Sequence, residues 1–380
     1  MINVGISALT RFHMFDLANE LETRGLLGRL YTGYPRSRLP EALRAHAVCR
    51  SLPIAGIAAA RKLGSLPGLQ IKVIRAALGA FDYTVARALQ PHDIFVGLSG
   101  QSIRSFRRAK ELGARTICER GSSHIVFQDR ILREEHERWG IRYRPFDQGV
   151  IDQELAEYEL CDQINVPSTF AAATFRAHGV PEERVFKNPY GVSLGTFKPS
   201  LKRDSVFRVL FVGTLSIQKG IGYLIEAAKQ LRSRSFEVWL IGPVEPNMEP
   251  ILRGLPANIR YLGPIPKDKL PEYYSQASVF VLPSIQDGFG LVQAEAMACA
   301  VPVIATSNTG AADLFEDGSE GFIVPIRSPD AIADRLQRLL DDPGLQRLLG
   351  QNALKRVRSI GGWREYGDRA AKQCRQLLAC

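Results

Sequence analysis

The chain has no run of about 18 apolar residues, so no membrane-spanning helix is predicted. Its six cysteines form no Cys-x-x-Cys pair. That argues against a zinc site or a disulfide framework and fits a reducing, cytoplasmic setting. The start, Met1-Ile2-Asn3-Val4-Gly5-Ile6-Ser7, reads as a short buried strand. It lacks the basic opening and long apolar stretch of a signal peptide. No internal repeat or low-complexity tract stands out. With 45% apolar and 23% charged residues, an ordinary globular composition, disorder is not expected over most of the length.

A length of 380 residues exceeds what one core usually organises, so two domains are expected. The net charge of +10 is unevenly spread. Residues 1–150 hold 23 Lys and Arg against 13 Asp and Glu, whereas the remainder holds 26 of each. The whole excess lies in the first 150 residues, which points to an anionic partner for that half.

Continuous apolar runs recur at Asp93–Gly97, Arg115–Cys118, Gln163–Val166, Arg208–Gly213, Phe236–Gly242, Ile259–Gly263, Val279–Leu282 and Pro302–Ala305. Runs of this kind suit strands buried on both faces of a parallel sheet. Helical spacing fills the gaps, at Phe12–Leu21, Ile221–Leu231 and in three further segments, 329–341, 344–357 and 364–378. The alternation predicts an α/β fold of two Rossmann-like domains facing a central cleft. The turn-rich passage from Asn188 to Ser200 marks the boundary, with a linker near 193–205. The expected division is 1–195 and 196–363, with the helix over 364–380 returning to complete the first domain.

The chemistry is concentrated in the second half. Asp287-Gly288-Phe289-Gly290-Leu291 follows a predicted strand and precedes good helix formers. A glycine-bearing loop that opens a helix offers free backbone N–H groups and a positive dipole end, which suit a diphosphate. Asp287 and Glu295 bracket it, and carboxylates accept hydrogen bonds from hydroxyls. A guest with hydroxyl-rich ends around a diphosphate would use both. The plainer alternative is a capping aspartate and a solvated glutamate. Gly213-Thr214-Leu215 through Lys219-Gly220 joins the first strand of this half to its first helix. Lys219 stands at a helix N-terminus, where the dipole disfavours a cation unless an anion lies beside it.

These stretches, with Val301-Pro302-Val303-Ile304-Ala305, Val166-Pro167-Ser168 and Pro189-Tyr190-Gly191-Val192, resemble retaining glycosyltransferase family 4, which has the GT-B fold. The likeness covers residues 165–325 well and the first 150 loosely. It implies transfer of a sugar from a nucleoside-diphosphate sugar to an acceptor hydroxyl. It implies that Asp287 meets the donor sugar, Glu295 the ribose and Lys219 the phosphates. The backbone of Gly288, Phe289, Gly290 and Leu291 would line the sugar and diphosphate. Thr214 stands where the family usually has arginine, and Asp287 where it usually has glutamate. In the first half, His124 follows a predicted strand and matches a family histidine that faces the donor sugar, with Arg120 and Glu119 as weaker candidates. The loop Ala8–His13 is expected to face the cleft as well.

No Asp-x-Asp occurs, so no metal or other cofactor is expected, and Lys219 and backbone dipoles would neutralise the diphosphate. Residues 36–75 mix eight basic residues and one acid with apolar residues such as Leu43, Leu52, Ile54, Ile57, Leu63, Leu66, Leu69, Ile71 and Val73. That mixture suits contact with an anionic membrane surface and a lipid-linked acceptor, with the protein peripheral on the inner face. A growing polysaccharide is another acceptor that fits. No nucleic-acid motif accompanies the charge. Two other readings stay open: a nucleotide-sugar epimerase of the same fold, and a catalytically impaired sugar-binding subunit.

Overall fold

The computed structural model describes residues 2–10, 12–62, 67–143, 146–233 and 235–379. The first half opens with β1 (Val4–Ala8), α1 (His13–Glu22), β2 (Leu27–Thr32), α2 (Glu41–Arg44) and β3 (Ala47–Cys49). Then come α3 (Leu52–Lys62), α4 (Pro67–Ala88), β4 (Ile94–Leu98), α5 (Ile103–Glu111) and β5 (Arg115–Glu119). It closes with α6 (Ile125–Arg138), α7 (Gln148–Leu160), β6 (Gln163–Val166), α8 (Thr169–Arg176) and β7 (Val185–Lys187). The strands form one parallel sheet in the order β3-β2-β1-β4-β5-β6-β7.

No strand or helix lies between Lys187 and Phe207. The second half then runs β8 (Phe207–Val212), α9 (Ile221–Gln230), β9 (Phe236–Ile241), α10 (Glu249–Leu252), β10 (Ile259–Gly263) and α11 (Leu270–Gln276). It continues with β11 (Val279–Leu282), α12 (Leu291–Ala298), β12 (Val303–Thr306), α13 (Ala311–Leu314) and β13 (Gly321–Val324). α14 (Pro329–Asp341), α15 (Pro343–Ile360) and α16 (Trp363–Ala379) end the chain. The second parallel sheet has the order β10-β9-β8-β11-β12-β13.

β8 is buried at every position, Phe207-Arg208-Val209-Leu210-Phe211-Val212, because helices cover both faces. Its one charged residue, Arg208, is held by Glu237, Asp204 and the Gln276 carbonyl, so the guanidinium is paired where it is buried. In each sheet the strand order reverses beside the first strand, at β1/β4 and at β8/β11. Open α/β sheets bind ligands at such switch points. The loops after β1, β8 and β11 therefore converge on the region between the domains.

α16 packs on α1, where Arg24 bonds Asp368 at 2.8 Å and the Arg364 carbonyl at 2.7 Å. The sheets are pinned to each other on two flanks. On one, the buried Glu135 of α6 accepts from Tyr223 (2.5 Å) and Arg327 (2.7 Å) of the second half. Arg327 holds φ at 61°, a left-handed conformation costly for a side-chain-bearing residue. On the other, Asp313 accepts from Thr169 N–H (2.7 Å), Thr169 Oγ1 (2.7 Å) and Lys187 Nζ (2.7 Å).

The basic stretch 36–75 is not one amphipathic surface. It spans a 3-10 turn at Arg36–Arg38, α2, β3, α3 and the start of α4. Leu43 is buried and Ile54 and Ile57 pack inward, so much of the apolar content serves the core. Arg38, Arg50 and Lys72 are exposed. Leu63 and Leu66 lie outside the described residues. Among the described residues no helix is long and apolar enough to cross a membrane.

Candidate functional site

A cleft of about 790 Å³ lies between the domains. Gly213, Lys219, Asp287, Phe289, Gly290 and Leu291 line it from the second half, and Phe12, His13, Gly121 and Tyr190 from the first. The β8–α9 loop sets Lys219 in place. Gly220 closes that loop with φ at 66°, and a Cβ there would sit 2.0 Å from the Pro283 carbonyl oxygen. Only glycine fits that approach.

Lys219 Nζ and Asp287 Oδ2 form an ion pair. Asp287 Oδ1 accepts from the Gly290 N–H at 3.1 Å and lies 3.4 Å from the Phe289 nitrogen. Asp287 thus braces the loop ahead of α12, whose N-cap is Gly290 and not the aspartate of the plainer reading, while its other oxygen faces a lysine across the cleft wall. The next residues of that first turn, Leu291 and Val292, also line the cleft. A helix's first N–H groups lack intrahelical acceptors, so this wall presents donors beside the Lys219 ammonium. Phe289 packs edge-on against Tyr190 from the other domain, with centroids 5.5 Å apart.

Glu295 is buried one layer behind the wall. Tyr274 donates to it at 2.9 Å, and Lys267, which lines the cleft, lies 3.7 Å away. Burial pushes its carboxyl above the usual range, against the pull of Lys267. Gly288 is turned to the other domain, where its carbonyl accepts from Ser168 Oγ at 2.5 Å. A Cβ at Gly288 would meet the Gly121 carbonyl oxygen at 2.1 Å. Neither Gly288 nor Thr214 is on the cleft wall.

His124, which the resemblance places in the cleft, is not there: its ring is buried in the first domain, stacked on His178 at 4.2 Å and bordered by Tyr158 and Phe175. Gly121, Ser122 and Ser123 carry the chain past the cleft before α6 begins, so the ring turns inward. Burial lowers its pKa to about 3, with His178 and Arg120 adding to the effect. Arg120 also points inward, to Glu154 (2.8 Å) and Gln128 (2.7 Å).

The histidine on the cleft wall is His13. Its Nε2 lies 3.1 Å from Glu119 Oε2, and Asn165 donates to Glu119 Oε1 at 2.7 Å. Asn165 is in turn paired with Gln373 of α16, so the last helix helps to set the His13 ring. Lys267 and Asp268 also line the cleft, and the sequence reading does not include them. Their signal was available: they follow β10 and Gly263, at the strand end where ligands bind. Among the described residues no three His, Cys, Asp or Glu side chains gather as metal ligands.

Residues 196–356 match the family described as Glycosyl transferases group 1. Alpha-D-kanosaminyltransferase of Streptomyces kanamyceticus is 36% identical over 152 residues, covering 38% of this chain and 39% of that protein. D-inositol 3-phosphate glycosyltransferase of Pseudarthrobacter chlorophenolicus is 31% identical over 232 residues, 55% of each. The chain matches 60% or less of the length of these relatives. Among solved structures, sucrose-phosphate synthase from Thermosynechococcus elongatus superposes with a TM-score of 0.71 at 20% identity, covering all of both chains. Anabaena HepE in complex with UDP-glucose superposes at 0.70 and 16% identity, over 99% of this chain and all of the other. At such identities the likeness is one of fold. The chain has the two-domain GT-B fold, and its residues 196–356 are a glycosyltransferase group 1 domain.

Proposed function

We propose that the protein is a retaining glycosyltransferase that moves a sugar from a nucleoside-diphosphate sugar to an acceptor hydroxyl. One observation carries this reading: Lys219, Asp287 and the first turn of α12 converge on a single cleft that the other domain closes with His13 and Tyr190. The Anabaena neighbour, with the same fold, is described with UDP-glucose, which supports a donor of that class here.

In this reading the diphosphate lies against Lys219 Nζ and the α12 amides, and displaces the ammonium from Asp287. The carboxylate is then available to a sugar hydroxyl. As the bond from the anomeric carbon to the diphosphate breaks, negative charge grows on the leaving oxygen. Lys219 and the helix dipole stabilise that charge without reorganising. The acceptor oxygen attacks from the same face, and its proton passes to the departing phosphate oxygen. Glu295 acts from behind the wall, by positioning Lys267, which lines the cleft. Closure of the two domains excludes water. No divalent ion is required. Exposed Arg38, Arg50 and Lys72 would contact an anionic membrane if the acceptor is lipid-linked.

Incubation with UDP-, GDP-, ADP- and dTDP-sugars and a mixed acceptor panel, followed by mass spectrometry, tests the reading. A glycosylated acceptor and free nucleoside diphosphate are expected. A sugar isomer formed without acceptor would instead indicate an epimerase, and wild-type turnover by Lys219→Ala would remove the assignment.

A further inference from the structure

The β8–α9 loop brings a single cation to the cleft. Between Gly213 and Gly220 its only charged side chain is Lys219, and Thr214 is not on the cleft wall. Lys219 is already paired with Asp287. A nucleoside diphosphate carries more than one negative charge, so a ligand of that class leaves charge for a second cation to meet. Among the described residues, the one other lysine or arginine on the cleft wall is Lys267.

Lys267 belongs to the chain between β10 and α11, and its side chain is 62% exposed. Its ammonium lies 3.7 Å from Glu295 Oε1, beyond hydrogen-bond length, and 5.9 Å from the centre of the Phe197 ring. Glu295 is itself fixed, buried and bonded by the Tyr274 hydroxyl at 2.9 Å. The carboxylate therefore draws the ammonium to one place and leaves its N–H donors open to a ligand. That place is set along α12. Leu291 and Val292 begin the helix and line the cleft, and Glu295 follows them by four and three positions, on the same face. Lys267 thus stands about one helical turn, about 5.4 Å, beyond the amides of the first turn. Asp287 stands before the helix, on the other side of those amides. A diphosphate on the amides with its sugar towards Asp287 has its nucleoside end towards Lys267.

We propose that Lys267 is a second phosphate-binding residue, that it meets the phosphate nearer the nucleoside, and that Glu295 is its positioning residue. The inference rests on reading the cleft as the donor site. Calorimetry on the full chain tests it, with the tightest-binding of UDP, GDP, ADP and dTDP, and with the matching monophosphate and nucleoside in competition against it. Lys267→Ala should weaken the diphosphate and the monophosphate about fivefold each and leave the nucleoside within about twofold. Lys267→Arg keeps the charge and should bind as the wild type does. Lys219→Ala, by contrast, should weaken the diphosphate more than the monophosphate. In a Glu295→Gln background the ammonium has lost its anchor, and Lys267→Ala should then cost less than about twofold. The proposal is overturned if Lys267→Ala leaves diphosphate affinity unchanged, weakens the nucleoside as much, or spares the monophosphate. A full fivefold loss in the Glu295→Gln background would remove Glu295 as the positioning residue. Failure of every diphosphate to bind the wild type would instead count against the donor site.

Discussion

Replacing Glu135 should loosen the joint between the domains by an amount that depends on the replacement. Its carboxylate is fully buried and accepts from Trp139 Nε1 (3.0 Å), the Tyr223 hydroxyl (2.5 Å) and Arg327 Nε (2.7 Å). Alanine strands three donors at once, one of them a cation. Removing one partner of a buried ion pair costs about 3–5 kcal/mol. The Arg327 side chain is 18% exposed and keeps Glu134 at 3.1 Å, so water and that second carboxylate offset part of the loss. The low end, about 3 kcal/mol, applies. Glutamine keeps an oxygen for Trp139 and Tyr223 but turns its NH2 to Arg327, losing that acceptor and its charge, about 1.5 kcal/mol with Glu134 left to the guanidinium. Scanning calorimetry should give a Tm lower by about 6–12 °C for Glu135→Ala and about half that for Glu135→Gln. A loss below about 1 kcal/mol for alanine, or equal losses for the two variants, would refute the reasoning.

Gly288→Ala should force the domains apart, because the new Cβ would meet backbone atoms of Gly121 and Ser122 at 2.1 and 2.8 Å. A cost of about 1–3 kcal/mol and a larger radius of gyration by small-angle scattering are expected, and an unchanged radius would contradict the packing described. His124 stays neutral in the folded chain down to about pH 3, whereas in the unfolded chain it gains a proton near 6.5. Stability should therefore fall as pH drops from 6.5 towards 3, with a slope from this group of at most about 1.4 kcal/mol per pH unit. Urea midpoints for His124→Phe should show a flatter dependence over that window, and an unaltered slope would exclude the residue as its source. Asp313→Ala removes the contacts with Thr169 and Lys187, a joint between the domains that shares no residue with that of Glu135. It should cost about 1–3 kcal/mol in the same calorimetric measurement, and a change within error would mean that this flank does not hold the domains.

Most strands legible in the sequence are buried on both faces; the exception is β10, an edge strand read over the same residues although Arg260 and Tyr261 are exposed, while the short edge strand β13 was not read. β8 and β11 are continuous apolar runs because helices cover them on either side. β3 and β7, three residues each at the two edges of the first sheet, have burial on one side at most and no such run. β2 was missed although it is central, because Gly28 and Arg29 interrupt its apolar pattern. In the site, the loops after β8 and β11 could be read because glycine, lysine and aspartate stand at strand ends, where chemistry and fold agree. The position of His124 could not, since the residue that fixes its ring, His178, is 54 positions away and their contact is tertiary. Glu295 was recognisable as an acid on α12, but its partner Tyr274 comes from α11 and its depth from packing.

The claim on which the rest depends is that Lys219 holds the diphosphate. Calorimetric titration of UDP, GDP, ADP and dTDP into the wild type and into Lys219→Ala tests it directly. A partly buried, charge-assisted contact is worth about 2 kcal/mol, so the tightest of these ligands should bind about 30-fold more weakly to the variant. Equal affinity in the two proteins, or no binding of any diphosphate to the wild type, would contradict the account.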